Sequence, residues 1–488
     1  MTLNFRIILL SLVAGFTYLT SYPATRVLSE FGVEPDAHKV QTAGIQLAIE
    51  KTAASKQGGK LIIPSGVYVT GTLKLRSNVE LHLEKGAILL GSINPFDYDG
   101  YAADAPNDRK VADKCSQPLF GLIVGDRVSN VTISGEGIID GRGLEVALAV
   151  DSLHHTGVRI DPNYNTYRMR PSLRPKLFDL DNCAGINIIG VELRSASAWG
   201  LSMNQCKDVL IKGIRFINRA YWNNDGIDIA DCKNVRIENC DINSADDGIV
   251  LKSFDPADGN SDIYISGCTI RSSANALKFG TESFGGFRNV TIKDIKVYDT
   301  FRSAVAIESV DGAVIDNVLV DGVEAKNTGN PLFIRLGHRR GEQPGRVENV
   351  TIKNLRCEVP FGRPDSEYDL RGPDINVIHN PFPSSITGIP EAKVKNVTLE
   401  NIEMIYPGRG TKGMGYIGKY RYNDVPEVKD AYPEFHMFGE LPAWALYVRH
   451  VDGLTLRNVK AKAAAPDYRD AMVTDDVTAL KGDLEVVK

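Results

Sequence analysis

A short phrase of alternating apolar and polar positions recurs along the chain and predicts a stack of equivalent units. Each copy starts with Asn, Asp or Gly and continues as an apolar residue, any residue and a second apolar residue. The clear copies are NVTI at Asn130, DVLI at Asp208, NVRI at Asn234, DIYI at Asp262, NVTI at Asn289, NVTI at Asn349 and NVTL at Asn396. From GINI at Gly185 to GAVI at Gly312, the successive steps are 23, 26, 28, 27 and 23 residues. Steps this regular indicate a repeat protein.

The composition of the phrase predicts strands. It is rich in Val, Ile and Thr, alternates with a period of two and is closed by turn residues. Because one short unit cannot bury its own apolar face, the copies must stack, with each strand pairing in parallel with its equivalent one unit along. The predicted fold class is therefore all-β, a right-handed parallel β-helix. A leucine-rich repeat would need a regular Leu framework that is missing here, and a propeller blade needs about 40 residues.

A second alternating segment can be aligned across six units, from WGLSMN at Trp199 to NPLFIR at Asn330. Its third and fifth positions are large and apolar, which predicts a column of side chains that face the core. Its fourth and sixth positions then face outward, and they concentrate acids and bases over three or four units. The predicted inward column is Leu201, Met203, Ile227, Ile229, Ile249, Leu251, Leu277, Phe279, Val305, Ile307, Leu332 and Ile334.

Five of the seven cysteines keep fixed positions relative to the phrase. Cys183, Cys206 and Cys232 lie two residues before a copy, whereas Cys240 and Cys268 lie shortly after one. Equivalent positions stack in a β-helix, so we expect ladders of inward-facing thiols that pack as small apolar groups. An odd count and the lack of nearby His argue against a disulfide framework and a metal site.

The remaining sequence predicts a leader, a cap, insertions and a tail. The apolar run at residues 7–18 is too short to span a bilayer but fits a secretory signal. The predicted divisions are a signal peptide at 1–24, an N-terminal cap at 25–59 with a helix at 41–54, a β-helix at 60–465 and a C-terminal tail at 466–488. The predicted insertions are residues 94–125, 142–175, 360–391 and 407–442. Long loops on a rigid scaffold commonly border a cleft, and we expect residues 435–450 to close it.

Charge and hydropathy exclude some classes of partner. The chain has 56 basic and 61 acidic residues, a formal net charge of −5, and no long run of one sign. This balance argues against a nucleic-acid partner. After the leader no apolar run reaches the roughly 18 residues of a membrane span, so we expect a secreted monomer, periplasmic or extracellular.

Three carboxylates are predicted to crowd one place on the outward column. Asp225 and Asp247 occupy equivalent positions in adjacent units, and Asp246 adjoins the second. Stacked strands are about 4.8 Å apart, and like charges that close raise the pKa of at least one carboxyl group. A protonated acid beside ionised carboxylates is what glycosidic cleavage requires. The plainer alternative is that Asp before Gly only makes turns.

Four motifs carry a resemblance to a known family. NNDGID at Asn223 is similar to NTDGxD, ADDGIVLKS at Ala245 to DDCIAxKSG, and GTESFGGFRNV at Gly280 to GSExSGGVRNV. The segment GVYVTGTLKLRSNVELHLEKGAILLGS is similar to the first coils of the same family. All four patterns are those of the polygalacturonase family, glycoside hydrolase family 28, and the resemblance spans residues 36–320.

The resemblance implies an inverting hydrolase of pectic polysaccharide, of the galacturonan or rhamnogalacturonan type. Asp246 would be the general acid, while Asp225 and Asp247 would hold and activate the water. Inversion leaves room for that water, so acid and base are expected about 6.5 to 9.5 Å apart. No metal and no cofactor are implied.

Two departures from the family pattern bear on specificity. The GHG motif is replaced by Ala274, Asn275 and Ala276, and the RIK motif by Ala306, Ile307 and Glu308. Losing two cations and gaining an anion should weaken binding of galacturonate beside the cut. The substrate-binding candidates are Asn223, Asp228, Lys252, Asn275, Lys278, Glu308 and Arg335.

These departures favour rhamnogalacturonan or another decorated pectin, and the insertions favour removal of terminal sugars. Aromatic side chains of Trp199, Tyr221 and Trp222 are candidates for stacking on sugar rings. Two other functions stay open. A β-helix polysaccharide lyase would need a base and usually a calcium ion held by carboxylates, and a glycan-binding β-helix would need no catalytic acid.

Overall fold

A computed structural model describes residues 24–102, 119–365, 382–420 and 424–487, with the backbone alone at 417–420. The predicted signal peptide lies outside these residues except for Ala24, and Cys115 also lies outside them. The described part contains four α-helices: α1 (Thr42–Ala53), α2 (Asp99–Ala102), α3 (Gly143–His155) and α4 (Lys412–Tyr420). None of the described helices is long and apolar enough to cross a membrane.

Strands dominate the described residues. They are β1 (Ala24–Val27), β2 (Asp36–Val40), β3 (Gly59–Ile63), β4 (Gly66–Thr70), β5 (Leu73–Lys74), β6 (Val79–Leu83), β7 (Ala87–Gly91), β8 (Gly121–Asp126), β9 (Ser129–Gly135), β10 (Ile138–Asp140), β11 (Lys176–Asp181), β12 (Ala184–Ile189), β13 (Glu192–Arg194), β14 (Leu201–Asn204), β15 (Lys207–Lys212), β16 (Arg215–Asn218), β17 (Ile227–Ala230), β18 (Lys233–Glu238), β19 (Asp241–Ser244), β20 (Ile249–Ser253), β21 (Asn260–Ser266), β22 (Thr269–Ser272), β23 (Leu277–Ser283), β24 (Gly286–Ser309), β25 (Val314–Leu336), β26 (Arg346–Glu358), β27 (Ser384–Thr387), β28 (Val394–Tyr406), β29 (Ala443–Ala463), β30 (Asp470–Lys481) and β31 (Leu484–Val487).

Each strand pairs in parallel with its equivalent one coil along, as predicted. The recurrent phrase forms one column of strands, running through β9, β12, β15, β18 and β21. The second alternating segment forms another column, running through β11, β14, β17, β20 and β23. From β24 onward single long strands bend through more than one column. The right-handed parallel β-helix inferred from sequence is confirmed.

The first residue of the phrase is the residue at which the chain bends. In all seven clear copies it has a positive φ, for example 54° at Asn234 and 58° at Asp262. Among residues with a Cβ, Asn and Asp tolerate this left-handed conformation best. Their side chains also bond from coil to coil, as in Asn234 Nδ2 to Asp208 Oδ1 at 2.7 Å and Asn289 Nδ2 to Asp262 Oδ1 at 3.0 Å. This exposed amide ladder explains why the repeat begins with Asn or Asp.

One predicted copy of the phrase was placed wrongly. Val290 pairs with Val318, and Asn317 donates to Asn289 at 2.9 Å. The equivalent of Asn289 is therefore Asn317, and Gly312 belongs to the turn before it. The error arose because Gly312 also precedes an apolar alternation. In the structure Gly312 also has a positive φ, of 100°.

The inward column and the cysteines fill the core as predicted. All twelve residues of the inward column are buried. Cys183, Cys206, Cys232, Cys240 and Cys268 are buried free thiols, and the backbone N–H of Cys206 lies 3.3 Å from Cys232 Sγ. Buried thiols behave as small apolar groups, so stacked cysteines continue the apolar column between the strands.

Both ends of the β-helix differ from the predicted divisions. Helix α1 lies within the predicted range and buries Ile45, Ala48 and Ile49, but β1 and β2 around it already pair with β3 and β4. The segment expected to be a tail forms β30 and β31, which pair in parallel with β29. The β-helix therefore extends past residue 465.

The insertions contain short helices and cover the second column. Helices α2, α3 and α4 lie in the first, second and fourth insertions. As a result, outward positions of the column are buried instead of solvated: Lys278 is 2% exposed, Glu308 1% and Arg335 1%. Burying so many charges requires that they be paired, and this pairing defines the site below.

Candidate active site

Two aspartates are aligned by the stacking of successive coils. Asp225 lies two residues before β17, and Asp247 lies two residues before β20. The backbone N–H of Gly226 donates to the carbonyl of Asp247 at 2.9 Å. Neither aspartate has a positive φ. A Cβ on Gly226 would approach Gly248 O to 2.4 Å, so this glycine is required by the close approach of coils. The structure thus places both aspartates in equivalent connections that lead into strands of the second column.

Three carboxyl groups converge beside this column. One oxygen from each of Asp225, Asp246 and Asp247 lies within 4.8 Å of the other two. Asp225 and Asp247 are buried, whereas Asp246 is partly exposed. The carbonyl of Asp246 accepts hydrogen bonds from the hydroxyls of Ser244 and Ser272 at 2.7 and 2.6 Å. Asp246 is therefore the partly exposed residue of the three, and its backbone is fixed by these hydrogen bonds.

Two buried lysines form ion pairs with different carboxylates of the site. Lys252 Nζ lies 3.4 Å from Asp225 Oδ2 and 3.3 Å from Asp228 Oδ1. Lys278 Nζ lies 3.1 Å from Asp247 Oδ2. Ion pairs this deeply buried are strong only when further hydrogen bonds complete them, and the backbone and side-chain amides of Asn275 donate to Asp247 Oδ1 at 3.1 and 2.9 Å.

The carboxyl groups differ in their affinity for protons. Burial raises the pKa of Asp225 well above its ordinary value, and Asp228 and Asp246 raise it further. Burial and the neighbouring Asp247 also raise the pKa of Asp246. Burial acts on Asp247 too, but Lys278, Lys252, Arg302 and the hydrogen bond from Asn275 outweigh it and lower its pKa. One cluster therefore contains an ionised carboxylate beside carboxyl groups that hold their protons.

The comparison with known proteins decides the family. The sequence profile described as Glycosyl hydrolases family 28 matches residues 59–363. The chain belongs to glycoside hydrolase family 28.

Named relatives of this family 28 chain are similar at low identity. A probable polygalacturonase of Vitis vinifera is 28% identical over 344 residues, covering 68% of this chain and 60% of that protein. An exo-poly-alpha-D-galacturonosidase of Dickeya chrysanthemi is 23% identical over 451 residues, covering 79% and 72%. The family 28 exopolygalacturonase of Yersinia enterocolitica has a similar fold, with a TM-score of 0.63, 17% identity and coverage of 95% and 78%.

The structure brings most of the other sequence candidates to this family 28 cluster. Asp228 pairs with Lys252, and burial raises the pKa of Asp228 to about 6 although Lys252 opposes it. Glu308 lies 3.9 Å from Lys278 Nζ and accepts from Thr281 Oγ1 at 3.4 Å. Burial raises the pKa of Glu308 to about 8. Lys278 and Glu308 are therefore held by contacts with other residues of the site.

Asn223 and Arg335 have partners of their own. Asn223 Oδ1 accepts from Arg170 and, at 3.2 Å, from Arg174 Nη2. Arg335 follows Glu308 in the column, but its guanidinium donates to the carbonyls of Gly388 at 2.9 Å and Glu427 at 2.8 Å. These buried contacts attach Arg335 to the third insertion through Gly388 and to the fourth through Glu427, and its role as a substrate contact stays a prediction.

Several groups of the family 28 site were missed from sequence. Arg302 forms an ion pair with Glu434, and Tyr432 Oη lies 3.4 Å from Lys278 Nζ. Glu434 and Tyr432 come from the fourth insertion, more than 120 residues after the motifs, and no local pattern places them. Arg302 precedes the replaced RIK position by four residues, so its basic charge was a signal that could have been used.

Both later insertions are fixed beside the site. Buried Asp365, of the third insertion, forms ion pairs with Arg271 at 2.5 Å and Arg219 at 3.2 Å. In the fourth insertion, Phe435 and Phe438 pack in one apolar cluster with Ala306. Ala306 stands where the family has the Arg of RIK, and its small side chain leaves the space that this apolar cluster fills.

Proposed function

We propose that this chain is an inverting glycoside hydrolase that cleaves glycosidic bonds in pectic polysaccharide, of the galacturonan or rhamnogalacturonan type. The observation that carries the proposal is the convergence of Asp225, Asp246 and Asp247 within 4.8 Å, with their proton affinities driven apart. Glycosidic cleavage needs one protonated acid and one ionised base at the same bond.

Asp246 acts as the general acid. Its carboxyl group is the partly exposed member of the three, and its raised pKa keeps the proton available. The proton passes from this carboxyl group to the glycosidic oxygen as the bond to the sugar breaks. General acid catalysis of this kind contributes roughly 10²- to 10⁴-fold.

Asp247 and Asp225 activate the water on the other side of the sugar. Asp247 is the ionised carboxylate and accepts the proton of the attacking water. Oδ1 of Asp225 has no hydrogen-bond donor among the described residues, so this oxygen is available to bind the same water. A buried oxygen left without a donor is costly, and a bound water removes that cost.

The spacing of the carboxylates differs from the expectation for inversion. Their nearest oxygens lie within 4.8 Å, below the roughly 6.5 to 9.5 Å usual for inverting enzymes. We assign inversion on two other grounds: the family, and the presence of two carboxyl groups on the water side, Asp247 ionised and Asp225 protonated, where a retaining enzyme uses one nucleophile. The anomer that forms first, followed by proton NMR, tests this assignment.

The charges beside the cut favour a substrate in which a neutral sugar adjoins the uronate. Lys278 is paired with Asp247 and Glu308, and Arg302 with Glu434. Lys278 and Arg302 each already face a protein carboxylate, so neither is left to neutralise the carboxylate of a galacturonate. Alternating rhamnose and galacturonate in rhamnogalacturonan fits such a site better than homogalacturonan.

Removal of terminal sugars is the proposed mode of action. The fourth insertion brings Tyr432 and Glu434 to Lys278 and Arg302, and Lys278 and Arg302 are 2% and 6% exposed. A polysaccharide that continued past the cut on this side would have to displace the insertion. We therefore expect small products from the first turnovers.

A polysaccharide lyase is the rival with the same fold. The three carboxylates have the spacing of a cation site, and a lyase would use such a site for calcium. Here Lys252 and Lys278 already supply two positive charges to these carboxylates. The hydrolase proposal therefore expects activity that a chelator leaves unchanged and products without ultraviolet-absorbing unsaturated uronides.

Export of the chain is part of the proposal. The apolar run at residues 7–18 after Arg6 is typical of a secretory signal, and a polymeric pectin is met outside the cell. Mass spectrometry of the mature N-terminus from the culture medium or periplasm would identify a cleavage site near residue 24.

The deciding experiment compares wild type with Asp246→Asn by reducing-sugar release from homogalacturonan, rhamnogalacturonan and their oligosaccharides. The matched control is Asp241→Asn, which changes an exposed aspartate on the same coil. We expect rhamnogalacturonan to be the best substrate, and Asp246→Asn to lose about 10²- to 10⁴-fold in rate.

Each other outcome has a distinct meaning. Equal rates in wild type and Asp246→Asn would remove Asp246 as the acid. Absence of hydrolysis by all three proteins, together with binding of the oligosaccharides, would favour a glycan-binding protein.

A further inference from the structure

The end of the second insertion is attached to the residues that lead into Asp225. Buried Arg174 donates through Nη1 to the carbonyls of Ser197 at 2.5 Å and Trp222 at 2.7 Å. Its Nη2 and the guanidinium of Arg170 both reach Asn223 Oδ1. Trp222 precedes Asp225 by three residues, so these bonds fix the position of the insertion relative to the carboxylates.

Aromatic and cationic groups are exposed at this junction. The guanidinium carbons of Arg168 and Arg170 lie 5.4 and 5.9 Å from the ring centre of Trp222. Trp222 and Arg168 are half-buried, and Tyr167 beside them is 86% exposed. Amphipathic rings of this kind are suited to contact the apolar face of a ligand while their polar groups stay in water.

The charge at this junction contrasts with the charge on the other side of the carboxylates. On that other side, four basic groups each form an ion pair with a carboxylate: Lys278, Arg302, Arg339 and Arg340. Within the described ranges, by contrast, no carboxylate lies within 4 Å of the Arg168 guanidinium. The side that leads into Asp225 therefore offers a cation to an external anion, and the opposite side does not.

We propose that Tyr167, Arg168 and Trp222 form a distal subsite for a uronate sugar of the polysaccharide. The planar guanidinium of Arg168 binds the uronate carboxylate in the bidentate geometry that arginine favours, and the ring of Tyr167 supports the apolar face of the sugar. This inference rests on the proposed function, because the ligand is the same pectic chain. It assigns the uronate-binding cation to a place away from the cut.

The test measures binding in the Asp246→Asn background, so that the ligand is not consumed. The probes are a hexasaccharide of alternating rhamnose and galacturonate, and the same hexasaccharide with its carboxyl groups reduced to alcohols. Calorimetry compares Arg168→Met and Arg168→Lys with the matched control Arg236→Met. Arg236 also stacks on an aromatic ring, at 4.5 Å from Tyr264, but on another face of the β-helix.

We expect Arg168→Met to weaken binding of the native hexasaccharide roughly tenfold, as for loss of one charge-assisted contact, and to leave the reduced hexasaccharide unaffected. Arg168→Lys should retain part of the affinity, and Arg236→Met all of it. Tyr167→Ala should weaken binding of both probes, because ring stacking does not depend on charge.

Equal binding by Arg168→Met and the control would overturn the subsite, as would equal losses on the two probes or no measurable binding of either. The proposed function is judged separately, by hydrolysis in wild type and its loss in Asp246→Asn. Hydrolysis with an inert Arg168 would remove only the subsite, whereas Arg168-dependent binding without hydrolysis would remove only the catalytic proposal.

Discussion

Asp246 and Asp247 are adjacent in sequence, yet their surroundings favour opposite protonation states. The two carboxyl groups share the same coil, but the amides of Asn275 and the ammonium of Lys278 contact Asp247 alone. A carboxylate with an opposite charge and two donors is stabilised in its ionised form, whereas its neighbour is destabilised by it. The opposite pKa shifts of Asp246 and Asp247 therefore come in large part from residues one coil away.

Lys278→Met tests this division through the pH dependence of kcat/KM. Lys278 is the main positive charge that lowers the pKa of Asp247, so its removal should raise that pKa. The base must be ionised, so the acidic limb of the profile should move to higher pH. Lys233→Met is the control, since Lys233 forms an exposed ion pair with Asp258 at 2.9 Å. An unshifted acidic limb would show that Lys278 does not set the ionisation of the base.

Glu308→Gln tests the cost of burying an acid at the replaced RIK position. Burial raises the pKa of Glu308 to about 8, above its value of about 4.3 in an unfolded chain. Stability from this group is present below the unfolded value and is lost as the pH rises through about 8. The variant should therefore match wild type in Tm at pH 5 and exceed it at pH 9.

The control for this variant is Glu324→Gln, which changes an exposed glutamate on the outer surface. Thermal unfolding at the two pH values is the measurement. A Tm difference of Glu308→Gln that does not depend on pH would contradict a proton held by Glu308 in the folded protein.

At the scale of elements, the amide ladders explain both the repeat phrase and its irregular spacing. Asn401 has a φ of 54°, donates to Asn354 Oδ1 at 3.1 Å and accepts from Asn458 Nδ2 at 2.9 Å. These three residues are 47 and 57 residues apart in sequence. The bend stays in register because the insertions between the coils project outward and leave the ladder unbroken.

Asn401→Ala and Asn401→Gly separate the two roles of this bend. Alanine loses both hydrogen bonds and strains a left-handed backbone, for a combined cost of about 2 to 3 kcal/mol. Glycine loses the hydrogen bonds but adopts the backbone freely, so it should cost less. Urea unfolding gives the order wild type, Gly, Ala. Equal losses in the two variants would mean that the backbone conformation contributes nothing.

Arg335 is one buried attachment of the fourth insertion to the second column. Replacing Arg335 by Met leaves the carbonyls of Gly388 and Glu427 without donors, at a cost of about 2 to 4 kcal/mol. Because the same insertion carries Tyr432 and Glu434, activity should fall as well. Arg340→Met, at an exposed ion pair with Glu282, should leave Tm and rate unchanged. If Arg335→Met lost stability but kept full activity, this attachment of the insertion would not be needed for activity.

At the scale of the whole molecule, the stack of coils could be predicted because it rests on a local pattern. Period-two alternation, bend residues at fixed steps and Asp-Gly pairs each reflect contacts between neighbouring coils. This pattern predicted that a set of candidate residues lies on one column, and the structure brings them close together: Asp225, Asp246, Asp247, Lys252, Asn275, Lys278 and Glu308. Each lies on or directly before a strand of the same column.

The groups that sequence reasoning missed depend on contacts that do not repeat from coil to coil. Glu434 and Tyr432 reach the site from the fourth insertion, and Arg335 is oriented by the carbonyl of Gly388 from the third insertion and that of Glu427 from the fourth. The last coil was missed because most residues of β30 and β31 are exposed, so the buried apolar alternation that identifies earlier coils is weak there.

The thiol ladders make recovery from unfolding sensitive to an oxidising medium. Folded, the six described cysteines are buried and unpaired, so neither oxidant nor reductant should alter the stability of the native state. Unfolded, the same thiols are solvated and only 8 to 28 residues apart from Cys183 to Cys268, close enough for rapid ring closure. Any disulfide formed then is non-native and blocks the return to stacked coils, which turns reversible unfolding into irreversible loss.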